Sequence, residues 1–436
     1  MRFYRGFRLK KFIILITLLQ GILMSATLSH IDINGTKVPM IFEEDKNLPI
    51  VSMQLVFQNS GYLTDTKKGL VKLTAKLLNE GTKKDGSVGF ATKLEDRAIS
   101  LSSHSGAETF VIELNSLKEQ FDYGIELLDE LLSDPNYTPK TLEKIKTQTL
   151  GELKQKESNF DYISSLKLKG LLFPNTPLAT PPLGTVDSIK DISIDDIKSH
   201  IDNHLALGNL IVVMGGDIKQ DEATKLLSDI LKKLPKRKSE PIKYMKAQAK
   251  EQIEKTIVQS KQAYVYFGSP LDIRYDSSQR YLGKVASFIL GSSGFGSRLM
   301  EEIRVKRGLA YSAYSRFSIN KSHSYFWGYL QTKVASGDEA VTRVKELIKT
   351  FIDKGVTQEE LTSAKEFLLG SEPLRNETLS QRLNRAFMEY YHNRPLGATV
   401  EDLKKIKAMS LDELNSFIKK HNEIGVLSFS VVTGKE

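Results

Sequence analysis

Cysteine is absent from the 436 residues. That excludes disulfides, thiolate nucleophiles and cysteine-ligated metal centres, so stability must come from core burial. Histidine is scarce, with seven in the chain. Long apolar runs are lacking too: the longest, "FIILITLLQGILM" (Phe12–Met24), has 13 residues and is short for a membrane span. Strong net charge is also missing once the first residues are set aside. The formal charge is +9, but five basic residues precede residue 26, leaving 57 basic against 53 acidic side chains. The one basic cluster beyond them, "KKLPKRK" (Lys232–Lys238), reads as a solvated linker, which argues against a nucleic-acid face.

A basic stretch followed by a 13-residue apolar run is the pattern of an export signal. We therefore expect residues 1–26 to be a signal peptide, the rest to be periplasmic or secreted, and no stable membrane span after signal removal. Length implies more than one domain, and one plan occurs twice. "VSMQLVFQNSGYLTDTKKGLVKLTAKLL" (Val51–Leu78) runs strand, turn, amphipathic helix, and "QAYVYFGSPLDIRYDSSQRYLGKVASFIL" (Gln262–Leu290) repeats that order. "TPKTLEKIKTQTLGE" (Thr138–Glu152) matches "TQEELTSAKEFLLGS" (Thr357–Ser371) 219 residues later. Each half closes on a β-rich run, "NLIVVMGG" (Asn209–Gly216) and "GVLSFSVVTG" (Gly425–Gly434). The expected fold class is α+β: two homologous αβ domains, 27–233 and 259–436, joined by an exposed Pro- and charge-rich linker, 234–258.

Three stretches invite chemistry. "HIDNH" (His200–His204) has the i, i+4 spacing of a zinc helix but Ile201 and Asn203 where a catalytic glutamate would stand, so we expect no metal there. "LGSSGFGSRL" (Leu290–Leu299) is a Gly-rich turn before a helix without the G-K-[ST] of a phosphate loop. "GLVKLTAKLLNEGT" (Gly69–Thr82) has the frame of a metal-binding helix but the wrong side chains.

That frame resembles the pitrilysin/insulinase peptidases, whose motif reads G-x-A-H-x-x-E-H-M-x-F-x-G-T; in them two His and a downstream Glu bind zinc and the motif Glu is the general base. Here Lys72, Ala75 and Lys76 hold the two ligand places and the base, and Glu152 falls where the resemblance places the third ligand. A protonated lysine has no lone pair for zinc and Ala75 cannot accept a proton, so we expect no metal and no cofactor in this chain.

"GFGSRLMEEIRVKRGLAYSAYS" (Gly294–Ser315) is similar to the family's S-R-L…R-x-K-x-x-L-x-Y segment. The resemblance, which covers nearly all of the chain after the signal, implies half of a clamshell around a peptide chamber. It implies that Arg304 and Tyr311 hold the substrate carbonyl and oxyanion, and that Gly294 and Gly296 lie on a chamber loop. It also implies that "ISLSSHSGAETFVIEL" (Ile99–Leu114), with Ser102, Ser103 and His104, is the edge strand on which substrate is laid. The expected function is a non-catalytic subunit of a heterodimeric zinc endopeptidase. A zinc-bearing homologous subunit and unfolded peptides would be its partners. The alternative is a pseudoenzyme that binds peptides or acts as a scaffold.

Overall fold

The structure, a computed structural model, describes residues 26–435. The export-signal expectation therefore lies, Ala26 apart, outside the described residues. Alternating apolar side chains build the first sheet from β1 (Thr27–Ile33), β2 (Thr36–Glu44), β3 (Ile50–Gln58), β4 (Ser100–Ser105), β5 (Thr109–Leu117) and β6 (Leu210–Gly216). Their order is β1-β2-β6-β3-β5-β4. Strands β2 and β6 run parallel and every other pair is antiparallel. Helices Leu70–Leu78, Phe121–Ser133 and Pro139–Lys156 share one face with a core that includes Leu55, Phe57, Leu73, Phe110 and Leu128.

The second sheet repeats this scheme. Strands β7 (Gln252–Ile257), β8 (Gln262–Pro270), β9 (Ala310–Ile319), β10 (Ser324–Lys333) and β11 (Ser428–Thr433) lie in the order β7-β11-β8-β10-β9. Strand β7 pairs parallel with β11 as β2 does with β6, and the remaining pairs are antiparallel. The mixed architecture is α+β, with β1 the one strand lacking a counterpart. It also corrects the expected linker, because Gln252–Ile257, placed in 234–258, is an edge strand of the second sheet. Nor is the remainder simply solvated. Residues 235–251 form neither helix nor strand, yet the Met245 and Gln248 amides donate to the Ser322 and Leu172 carbonyls at 2.7 Å each. Ala247 is buried.

The two halves interlock through equivalent helices. Thr138 and Thr357 each accept the amide three residues on, Thr141 and Glu360, and so cap helices Pro139–Lys156 and Gln358–Gly370. The helices that follow, Phe160–Leu172 and Leu379–Tyr391, also begin 219 residues apart, and each crosses to the other half's sheet. Ser164 Oγ donates to the Ser430 carbonyl at 2.8 Å. A Cβ at Gly268 would lie 3.0 Å from Leu172 Cδ1 and 2.7 Å from the Phe326 carbonyl oxygen, so only glycine admits this approach. On the other side Arg382 reaches Glu43 at 2.6 Å and also pairs with Asp45. Glu108 ties the halves a third time, accepting from the Ser322 amide at 2.7 Å and the Tyr391 hydroxyl at 2.7 Å. Among the described residues no helix is long and apolar enough to cross a membrane.

Candidate functional site

The helix that carries the altered motif is fixed at its start by backbone chemistry. Gly69, at φ +88°, precedes it, and a Cβ there would sit 2.6 Å from the Leu183 carbonyl oxygen. The Asp65 carboxylate accepts from the Gly69 and Val71 amides, each at 2.8 Å. From this helix Lys76 reaches Glu152 on the Pro139–Lys156 helix at 2.6 Å and Thr149 Oγ1 at 3.2 Å. Ammonium and carboxylate thus meet directly where the family arranges ligands around a metal. Lys72 donates to the Ser105 carbonyl, and burial, with the charge of Lys76, holds its amine below the usual lysine range. Ala75 is buried and offers no acceptor on its side chain. These residues do not fit a zinc ion: two of the three places are cations and the third is a methyl group. Among the described residues no group of three or more acidic or histidine side chains could hold a metal.

Strand β4 does lie at the sheet edge, with Ser102 and His104 exposed and Ser103 buried. Its outward groups at Ser103, and the Ser105 carbonyl, are already occupied. The Asn79 carboxamide accepts from the Ser103 amide at 2.6 Å and donates to the Ser103 carbonyl at 2.9 Å. Ser103 Oγ donates to the Ala75 carbonyl at 2.7 Å, and Lys72 takes the Ser105 carbonyl. A peptide adding along Ser102, Ser103 and His104 must displace Asn79 and Lys72. Asn79 stands where the family motif has Phe. That departure was readable in the sequence, but its consequence depends on which backbone faces the side chain.

His200 and His204 lie on one helix face with rings stacked at 4.7 Å. His200 is buried, its Nε2 has no partner, and burial pushes its imidazole down to about 3. His204 Nδ1 contacts the Asn59 carbonyl at 3.0 Å. The pair is a neutral packing element between that helix and the end of β3.

The second half presents a different group. Arg304 lies in a single turn of π-helix, Glu301–Val305, and Tyr311 enters β9 after Gly308 at φ +62°. The pairing of β9 with β10 skips Tyr311, since Gln331 faces Ser312 and Thr332 faces Ala310. This bulge turns the phenol outward, to 83% exposure. The Arg304 guanidinium lies 4.8 Å from the Tyr311 ring centre and 4.8 Å from that of Phe295. Phe295 sits at the tip of the Gly-rich loop and is 71% exposed; sequence reasoning missed it. Gly294 and Gly296 flank it at φ +72° and +88° with open space around them, so they shape the loop rather than admit a close contact. Lys306 and Arg307 turn back to Glu302, Arg307 through two bonds of 3.0 and 2.7 Å. The structure therefore brings Arg304 to Tyr311 and Lys76 to Glu152. Among the described residues no hydrogen bond, ion pair or ring contact joins the first pair to the second.

Comparison with known proteins follows both halves. The family described as Insulinase (Peptidase family M16) matches residues 40–186, and Peptidase M16 inactive domain matches 191–368. A protein of Helicobacter pylori called non-peptidase homolog YmxG is 47% identical over 98% of this chain and 99% of its own. An uncharacterized zinc protease of Rickettsia felis is 24% identical over 80% of this chain and 84% of its own. The crystal structure of a peptidase M16 inactive domain from Pseudomonas fluorescens superposes with a TM-score of 0.87 at 23% identity, covering 94% of this chain and 98% of that one. With both halves matched by the family's models and a relative 47% identical over nearly the whole chain, the chain belongs to the M16 (insulinase) peptidase family, as a member whose metal-binding places are replaced.

Proposed function

We propose that this chain is the non-catalytic subunit of a heterodimeric zinc endopeptidase, lending Arg304 and Tyr311 to a zinc-bearing homologous partner and helping enclose unfolded peptide. The observation that carries this reading is the bulge at Tyr311. A phenol 83% exposed, with a guanidinium against its ring, is available to a ligand outside the chain. On this reading the zinc, the base and the attacking water belong to the partner, while this chain supplies a hydroxyl donor and a cation for charge developing on the substrate carbonyl. Export to the periplasm or beyond belongs to the same proposal.

Co-expression with a zinc-bearing homologue from the same source, followed by size-exclusion chromatography, tests it. A stable one-to-one complex is expected, with peptide cleavage that neither chain shows alone. A chain that ignores every such homologue contradicts it.

A second reading, a scaffold that takes no substrate on this half, has one observation in its favour. The outward groups of Ser103 are held by the chain's own Asn79. The name non-peptidase homolog, given to the Helicobacter pylori relative, fits either reading.

A further inference from the structure

A cavity of about 580 Å³ opens between the Arg280–Ser287 helix, the Leu379–Tyr391 helix and the turn that follows the latter. Five cations line it: Arg280, Lys284, Arg375, Arg385 and Arg394. Internal pairing accounts for two of them. Arg385 is ion-paired with Glu372, and Arg394 with Asp402 at 2.7 Å. The carboxylate on the wall, Glu389, is committed elsewhere, accepting the Gly397 and Thr399 amides at 2.7 Å each. Arg280 donates only to the Tyr275 carbonyl. Among the described residues the side chains of Lys284 and Arg375 have neither a carboxylate within ion-pair distance nor a hydrogen-bond partner.

Such a wall is expensive to leave unanswered. Like charges around one cavity repel, and Arg280 and Lys284, both half-buried, have given up hydration, while the carboxylates that act on Lys284, Glu372 and Asp402, are already paired with Arg385 and Arg394. Burial and the charge of Arg375 hold the Lys284 amine below the usual lysine range, and burial and Arg394 act likewise on Arg280. His392, on the same wall, is pushed down to about 3 by burial and by Arg280, so it faces the cavity as a neutral ring.

We propose that this cavity binds the phosphoryl group of a small phosphorylated molecule. Guanidinium groups match phosphate oxygens with paired donors, and Lys284 adds a point charge from one side. The volume lies within the range of small-molecule sites and is larger than a lone ion needs. The ligand's remaining part would lie over Met388 and Asn384, which also line the wall. None of the residues that line it belongs to the Arg304–Tyr311 group.

The test is calorimetric titration of the chain with inorganic pyrophosphate at fixed ionic strength, beside a thermal melt with and without the anion. One saturable site per chain and a raised melting temperature are expected. Arg375→Gln, at an exposed position where folding is not at stake, should weaken binding about tenfold. Lys284→Met with Arg375→Gln should abolish it, whereas Lys349→Gln, on an exposed and separate helix, should leave it unchanged. Flotation with phosphatidylglycerol vesicles that Arg375→Gln abolishes would assign the phosphoryl group to a lipid headgroup. Calorimetric binding without flotation would assign it to a soluble ligand. No saturable heat with pyrophosphate, or equal affinity in the wild type and Arg375→Gln, overturns the proposal.

Discussion

Lys76 and Glu152 show how a metal-binding helix can lose its ion and keep its packing. The ammonium bridges to the carboxylate of the neighbouring helix at 2.6 Å, supplying locally the positive charge that a cation would bring. Lys72 and Lys76 stand four residues apart, and their repulsion is eased because Lys72 turns to the Ser105 carbonyl. The triple variant Lys72→His, Ala75→Glu, Lys76→His, with Glu152 already against this helix, should take up stoichiometric zinc where the wild type retains none after dialysis. Metal analysis by mass spectrometry decides, and zinc retained by the wild type would contradict the reading. Asn79 is the second residue of consequence. Asn79→Ala should cost about 0.5–1.5 kcal/mol of stability and strengthen binding of a labelled unfolded peptide, because β4 loses its occupant. Unchanged anisotropy of the labelled peptide would mean that β4 is not a docking edge. At this scale the sequence revealed that the family's metal-binding places are replaced, since protonated lysine and alanine offer a metal no lone pair. It could not reveal Asn79 on Ser103, or the bulge at Tyr311, because both depend on strand register.

Among the elements, the paired crossing helices decide how the halves behave. The duplication was legible from repeated strand–turn–helix order and from Thr138–Glu152 matching Thr357–Ser371, whose first residues the structure shows as equivalent helix caps. Which sheet each later helix covers was not, since Leu168 and Leu172 would look equally apolar against either sheet. Strand β7 was hidden for a related reason: "QIEKTI" sits in a charged stretch and reads as linker until β11 is beside it. Gly215 lies under the Leu379–Tyr391 helix, and a Cβ there would be 2.5 Å from the Glu43 carbonyl oxygen. Gly215→Ala should therefore destabilise by about 1–3 kcal/mol, and Leu168→Ala, at the other crossing, by about 2–5 kcal/mol. Both halves should still melt together. The chain's single tryptophan, Trp327, reports on the second sheet alone, while far-ultraviolet circular dichroism reports on both. Coincident transitions are expected, and separate ones would contradict the interlocking.

For the whole molecule, acid should be destabilising in a defined window. His200 and His392 are pushed down to about 3 and His323 to about 4, chiefly by burial, so all three are neutral in the folded chain. Their contribution is fully present above the unfolded value near 6.5 and is lost as pH falls toward 4. Asp65, raised to about 6 by burial, works the other way: its contribution is present below 3.8 and lost as pH rises through 6. Near pH 5 the unfolded chain should bind roughly two more protons than the native one, so stability should rise by about 3 kcal/mol per pH unit. Urea titrations between pH 4.5 and 6.5 check the slope; a flat profile would mean the histidines are not held neutral.

The most direct test of trans-completion is the turnover of a reconstituted complex carrying Tyr311→Phe. The substitution removes one hydroxyl from an exposed ring and leaves the bulge, the Arg304 contact and the fold in place. Loss of an oxyanion donor costs about 10²–10³ in kcat, and that loss is expected here with assembly unchanged. Arg304→Ala should also raise KM, while Lys306→Ala, whose side chain turns to Glu302, should behave as wild type. A Tyr311→Phe complex that assembles and cleaves peptide at the wild-type rate would contradict the mechanism and leave this chain as a wall of the chamber.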